Sequence, residues 1–174
     1  MMQMGFSFNL SRCSGCMACV VACMDQNDIT GDDPSFRQVT RLEKGTYPSA
    51  RMAFVSIACF HCADAPCMQV CPRGAIFRSE EWGTVDVDEE LCIGCRACAM
   101  VCPYGAPKFP QEAKMMKCNF CFERVTNGME PACVRACPTR ALGFGSMDEL
   151  SRKSAEKASE RILQSYLVAD PKGL

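Results

Sequence analysis

"CIGCRACAMVCP", residues 92–103, places cysteine at 92, 95, 98 and 102 and closes on a proline. The spacing is C-x2-C-x2-C-x3-C-P. Three thiols so close together fit one tight loop, and the x3 step opens a helical turn that carries the fourth away. The proline then ends or redirects the chain, because it lacks a backbone donor and restricts the residue before it. Cys102 is therefore expected to serve a different centre from Cys92, Cys95 and Cys98.

Three further groups repeat the scheme. The first is Cys13, Cys16, Cys19 and Cys23, with the same C-x2-C-x2-C-x3-C spacing but no proline after it, where "MDQN" follows. The second is Cys59, Cys62, Cys67 and Cys71, spaced C-x2-C-x4-C-x3-C before Pro72. In the fourth, Cys118 and Cys121 are separated by eleven residues from Cys133 and Cys137, which precede Pro138. The 16 cysteines fall into these four groups without remainder.

This is the cysteine run of bacterial ferredoxins, in which three thiolates hold one cubane and the fourth ligates the neighbouring cluster. Four such groups with exchanged fourth ligands imply four [4Fe–4S] clusters in two pairs. Zinc is the rival, but zinc sites draw on separated C-x2-C pairs rather than triplets with a trailing Cys-Pro. A disulfide framework is a weaker rival, since a reducing compartment disfavours it.

Composition agrees. The chain has 174 residues, enough for one ordinary domain or two very small ones. Apolar residues reach 48%, but this count includes the 16 cysteines, so the aliphatic and aromatic core is thin and needs staples such as metal. The net charge of -1 gives no reason to expect a nucleic-acid partner. The start shows neither a basic n-region nor an apolar h-region, and no twin arginine. No run approaches the roughly 20 apolar residues that span a bilayer. The expectation is a soluble cytoplasmic protein without direct membrane insertion.

Between the cysteine groups the sequence reads as short strands and loops. Residues 51–58, "RMAFVSIA", read as a strand entering the second group, and 75–88, "AIFRSEEWGTVDVD", as a hairpin around 80–83. "RALGFGS", 140–146, reads as a closing strand. The polar segment 25–49 and the proline-containing segment 104–113 read as linking loops. A helix is expected after Ser146, whose S-x-x-E pattern with Glu149 is a capping box. Ile162, Leu163, Tyr166 and Leu167 make its tail a candidate docking surface for a partner.

The order of the groups pairs the second with the third and the first with the fourth. The expected fold is a small, loop-rich α+β protein of two bacterial-ferredoxin-like two-cluster lobes, one inserted within the other. The outer lobe comprises 1–50 and 104–146, the inserted lobe 51–103, and the helical tail 147–174.

The motifs "CFHCADAPCMQVCP", "CIGCRACAMVCPYGAPKF" and "KCNFCFERVTNGMEPACVRACPTRALGFG" resemble those of the four-cluster electron-transfer subunits of dimethyl-sulfoxide reductase, polysulfide reductase and formate dehydrogenase complexes. The resemblance covers residues 13–145 and extends to the compact subunits of tungsten aldehyde oxidoreductases. It implies cluster a on Cys13, Cys16, Cys19 and Cys137, and cluster b on Cys23, Cys118, Cys121 and Cys133. Cluster c would take Cys59, Cys62, Cys67 and Cys102, and cluster d Cys71, Cys92, Cys95 and Cys98. It also implies a near-linear wire whose outer lobe faces a molybdenum- or tungsten-pterin catalytic subunit. A flavoprotein, ferredoxin or membrane anchor subunit would be the second redox partner. The chain is short for that family, and no C-terminal anchor is expected. Export alongside a signal-bearing partner, giving a periplasmic location, is the alternative to a cytoplasmic one.

No catalytic constellation is visible: there is no G-x-S-x-G, P-loop or nicotinamide fingerprint. His61, the sole histidine, is expected to hydrogen-bond or pack beside a cluster rather than ligate it. Trp82 is either an interface anchor or a cover for its own hairpin. Arg12, Arg73, Arg96, Lys117, Arg135 and Arg140 lie near cysteines, where positive charge would raise a cluster's potential; ordinary surface charge is the plainer reading. Met115 and Met116 read as apolar filler. The function expected is a non-catalytic relay of single electrons, with a free-standing polyferredoxin as the alternative.

Overall fold

The computed structural model describes residues 3–110 and 114–169. Its elements run β1 (Met4–Phe8), α1 (Ala18–Gln26), β2 (Gln38–Lys44), β3 (Arg51–Ile57), α2 (Pro66–Gln69), β4 (Ile76–Arg78) and β5 (Val85–Val87). Then come α3 (Ala97–Val101), α4 (Phe122–Thr126), α5 (Ala132–Arg135), β6 (Leu142–Ser146) and α6 (Met147–Ala169). The strands of the described residues form three two-stranded antiparallel ribbons, β1–β6, β2–β3 and β4–β5. The fold is small α+β.

The β4–β5 hairpin, with Ile76 opposite Val87, and the closing strand β6 stand where the sequence puts them. β6 pairs with β1, Phe6 opposite Phe144, which ties the start of the chain to the end of the fourth cysteine group. Helices α1 and α5 also pack on each other. The expectation of a loop across 25–49 is corrected: β2 lies within it and pairs along its whole length with β3, Gln38 opposite Ile57 and Lys44 opposite Arg51. Its side chains are almost all exposed, so no buried alternation marks it in the sequence. In the loop expected at 104–113, Lys108 bridges to Met116 by two 2.8 Å backbone bonds; the last three of those residues lie outside the described ones.

Cysteine and alanine supply most of the buried apolar positions, with Phe36, Ile76, Val85, Met115, Phe120, Val125 and Leu142 among the few large ones. Such a core provides little of the burial that normally offsets chain entropy. Trp82 neither covers its own hairpin nor stands free. It packs with Phe120, Val125 and Met4, and its carbonyl accepts from the Met4 N–H at 3.0 Å.

Half of the expected capping box is present at α6: the Glu149 N–H donates to Ser146 Oγ at 3.2 Å, while the Glu149 carboxylate accepts from Lys153. Met147 and Leu150 lie over Gly5 and Gly145; a Cβ on Gly5 would come within 2.6 Å of the Met147 sulfur. Beyond that contact α6 is exposed through residue 167. No described helix is long and apolar enough to cross a membrane.

Candidate metal centres

None of the 16 cysteines forms a disulfide. In each group the residue before the second cysteine is left-handed: Gly15 (φ 71), His61 (φ 46), Gly94 (φ 66) and Phe120 (φ 62). This conformation curls the C-x2-C loop so that backbone N–H groups face the thiols. The His61 N–H thus donates to Cys59 Sγ at 3.4 Å. Only two of the four positions carry the glycine that favours this geometry.

The Cys-Pro ends share a second device. The N–H four residues on donates to the thiol, from Ala106 to Cys102 at 3.4 Å and from Ala141 to Cys137 at 3.3 Å. Ala75 does the same for Cys71. The turn is made by a left-handed residue at Gly74, Gly105 and Arg140. The first group lacks the proline, and its backbone differs accordingly: α1 runs on past Cys23 to Gln26. There Asn27 reaches back, its Nδ2 donating to the Cys23 carbonyl at 2.7 Å and lying 3.8 Å from Cys23 Sγ.

Three cavities gather thiols from different groups. Cys71 joins Cys92, Cys95 and Cys98 around one. Cys102 joins Cys59, Cys62 and Cys67 around a second. Cys137 joins Cys13, Cys16 and Cys19 around a third. Their shared apolar lining suits one kind of occupant. The remaining four, Cys23, Cys118, Cys121 and Cys133, are all buried, and Cys121 and Cys133 bear electrostatically on Cys23.

The buried cores run between neighbouring sets. One packs Cys19, Cys137 and Cys13 with Cys133. The next packs Cys23 and Cys118 with Cys59 and Cys102. A third packs Cys62 and Cys67 with Cys71, Cys92 and Cys98. Cys16 and Cys95, in the two outermost sets, are exposed.

Burial favours the neutral form of Cys19, Cys23, Cys59, Cys67, Cys98, Cys118 and Cys121. It pushes Cys23 and Cys98 up to about 11 and Cys118 further still. Cys71 and Cys137 go the other way. Burial alone would raise them, but converging N–H groups, from Arg73, Ala75, Ile76 and Gly74 at Cys71, outweigh it. Four thiols around an apolar cavity, with N–H donors aimed at sulfur, fit a thiolate-bound [4Fe–4S] cluster. Among the described residues no three Cys, His, Asp or Glu groups converge on a single-ion site.

His61 is a core residue, 1% exposed, with its ring edge-on to Phe120 at 5.4 Å. Burial, reinforced by the Lys117 charge, lowers its pKa to about 3, so the ring is neutral. Val85 O accepts from Lys117 Nζ, and Nδ1 accepts from the Val85 N–H at 3.1 Å. Of the six cations noted near cysteines, Lys117 alone is buried. Met115 lines the cavity of Cys92 and its N–H donates to that thiol at 3.4 Å, more than filler. Arg37, outside every motif, is 2% exposed, and nothing in the sequence around it marks it.

Comparison with known proteins agrees with this chemistry. Two family descriptions match, both "4Fe-4S dicluster domain", over residues 50–147 and 12–76. The B subunit of the anaerobic dimethyl sulfoxide reductase of Escherichia coli is 43% identical over 166 residues, covering 90% of this chain and 80% of that protein. The corresponding subunit from Haemophilus influenzae is 43% identical over 98% of this chain and 87% of its own length. The thiosulfate reductase electron transfer subunit PhsB of Salmonella typhi is 44% identical over 79% of this chain and 73% of its own. With 16 cysteines in four groups, the cofactor complement is four [4Fe–4S] clusters. The protein belongs to the 4Fe-4S dicluster family, among the iron–sulfur subunits of the dimethyl sulfoxide reductase type.

Proposed function

We propose that this chain relays single electrons between a molybdenum- or tungsten-pterin catalytic subunit and a second redox partner, a flavoprotein, a ferredoxin or a membrane anchor subunit. The observation that carries the reading is the gathering of thiols from different motifs around three alike cavities. The ligand sets follow: a, Cys13, Cys16, Cys19 and Cys137; b, Cys23, Cys118, Cys121 and Cys133; c, Cys59, Cys62, Cys67 and Cys102; d, Cys71, Cys92, Cys95 and Cys98. When bound, each cluster supplies a one-electron couple. The protein's part is to hold the thiols, exclude water and donate N–H groups to sulfur. It is a non-catalytic subunit, so electrons enter and leave through other proteins.

The order a–b–c–d is supported by the shared cores between successive sets and by the exposed Cys16 and Cys95 at the two ends. Two nested lobes are supported by the β1–β6 pairing, which joins the first motif to the fourth, and by the β4–β5 hairpin between the second and third. The lobes expected from the sequence are 1–50 with 104–146 and 51–103, with 147–174 as the tail. The β2–β3 hairpin crosses the 50/51 boundary, and Val39 and Ser56 both line the cavity of set a, so it goes with the outer lobe.

The catalytic partner is proposed to be of the dimethyl sulfoxide reductase type, from the names of the relatives. Those names also disfavour a free-standing polyferredoxin, since each denotes one subunit of a reductase. Cytoplasmic residence is proposed because 16 cysteines awaiting iron would pair as disulfides in an oxidising compartment.

The test is metal analysis of the tagged protein, purified anaerobically from its host with its partners. About 16 iron per chain, with molybdenum or tungsten alongside, is expected. Full iron with neither heavy metal would favour the free carrier, and zinc in place of iron would overturn the relay.

A further inference from the structure

Arg37 precedes β2 and is 2% exposed, as buried as any charged group among the described residues. Its Nη1 donates to Ser56 Oγ at 3.1 Å, and Ser56 Oγ stands 3.5 Å from Cys19 Sγ. Its backbone N–H faces the Cys23 thiol. The guanidinium carbon lies 4.9 Å above the Phe6 ring, which packs against both the Cys19–Cys133–Cys137 core and the Cys23–Cys118 core. Arg37 therefore reaches one thiol of set a through Ser56 with its side chain and faces one of set b with its backbone N–H.

Two of its side-chain nitrogens, Nε and Nη2, are buried without a hydrogen-bond partner. No carboxylate pairs with it among the described residues, whereas the other buried cation, Lys117, has Asp86. Arginine does not shed its proton, so a buried guanidinium needs negative charge and acceptors. The groups around it that can become negative are the thiols of sets a and b. Its charge favours ionisation of Cys19, Cys23, Cys118 and Cys121, against the burial that opposes it.

We propose that Arg37 is the shared counter-ion of the two cluster sites a and b, donating its free N–H groups to sulfur and raising the reduction potential of both. The proposal rests on the ligand sets given above. The physical cause is that a reduced cluster is more negative than an oxidised one, so a fixed buried cation stabilises the reduced form more. One guanidinium serving two sites would bring their potentials up together and leave c and d, on the far side of the cores, unmoved. Its role is to position charge.

The experiment is a potentiometric titration of all four clusters by electron paramagnetic resonance, on the holo-protein and on Arg37→Met and Arg37→Lys. Signals are assigned by the ones that Cys16→Ser or Cys121→Ser alters. Arg37→Met is expected to lower the reduced-to-oxidised ratio at fixed potential about tenfold for two clusters only, a shift of about 59 mV for one electron. Arg37→Lys, which keeps the charge and loses the fork, is expected to shift the same two less. Unmoved potentials, or equal shifts in all four clusters, would overturn the proposal while full iron in the wild type leaves the ligand sets standing. Zinc in the wild type would overturn both. Should Arg37→Met carry no clusters, pulsed measurements on native protein with ¹⁵N in arginine side chains decide. A weak nitrogen coupling to the a and b signals supports the donor role, and its absence overturns it.

Discussion

Lys117 Nζ stands 3.7 Å from Asp86 Oδ1, with the lysine side chain 2% exposed and the aspartate 21%. The ammonium also donates to the carbonyls of Val85 and, at 3.0 Å, Cys118. It lines the cavity of Cys59, Cys62, Cys67 and Cys102 and follows directly on Met116, beside Cys118 of the neighbouring set. Lys117 thus holds a position between sets b and c like that of Arg37 between a and b, but with a carboxylate attached.

The pair predicts potential shifts of opposite sign. Lys117→Met removes a cation and is expected to lower the potentials of the two clusters proposed on either side. Asp86→Asn leaves the ammonium less neutralised and is expected to raise them. Each effect is on the order of tenfold in the reduced-to-oxidised ratio, about 59 mV. Redox titration of both variants checks the signs, and shifts in the same direction would sink the account.

Gly15 is required twice over. Its φ of 71 lies where a side chain is strained, and a Cβ there would overlap the Phe54 ring. Gly15→Ala is expected to cost about 1–2 kcal/mol for the backbone alone, with the clash added. The damage falls on the loop carrying Cys13 and Cys16. The purified variant is expected to lose the iron of one cluster while the others persist. Phe54→Ala should restore part of the loading by removing the clash. Full iron in the Gly15→Ala variant would show that the loop tolerates the shift.

How legible this site is in the sequence depends on what sets each position. The cysteine ligands are fixed by covalent spacing, so the four groups and the displaced fourth thiol read directly from residue numbers. The αL turns are half legible. Gly15 and Gly94 announce them, but His61 and Phe120 hold the same conformation because their side chains are buried against each other. β1 and β2 escape the sequence reading because β2 buries almost nothing and β1 gains its partner only when the far end of the chain returns. Arg37 is invisible for the same reason: its environment comes from residues 6, 19, 23 and 56, distant in sequence.

Iron removal is predicted to unfold the protein rather than leave an open scaffold. Eight cysteines belong to the buried core, so the donors are also the packing. Without the clusters, Arg37 loses its counter-charge and the cavities lie empty, while the aliphatic core is too thin to compensate. Anaerobic chelation followed by circular dichroism is expected to show loss of structure in step with loss of iron. Ellipticity that survives full demetallation would mean that the protein core suffices by itself.

The exposed helix α6 carries its charges in an order that suggests its role. Lys153, Lys157 and Arg161, four residues apart, line a groove with Arg12 and Arg140 that runs down to Cys13, and among the described residues no Asp or Glu lines it. The chain as a whole is slightly acidic, so this concentration of cations is local. Farther along, Ile162, Leu163, Tyr166 and Leu167 are each more than 60% exposed. The two features predict different failures. Reversing Lys153, Lys157 and Arg161 to glutamate should slow association with the catalytic subunit by roughly tenfold or more at low salt. That deficit should shrink as salt rises, since steering charges act on the rate of encounter. Ile162→Ser with Leu163→Ser should instead speed dissociation and do so at any salt, since apolar contacts hold the docked state. The reversal also removes the Lys153–Glu149 bridge, 2.6 Å long. That exposed i,i+4 pair contributes little, so helicity should survive. Surface plasmon resonance against the purified catalytic subunit, across a salt series, reads both rates. Unchanged kinetics in both variants would place the partner's docking surface elsewhere, on the side of Cys95.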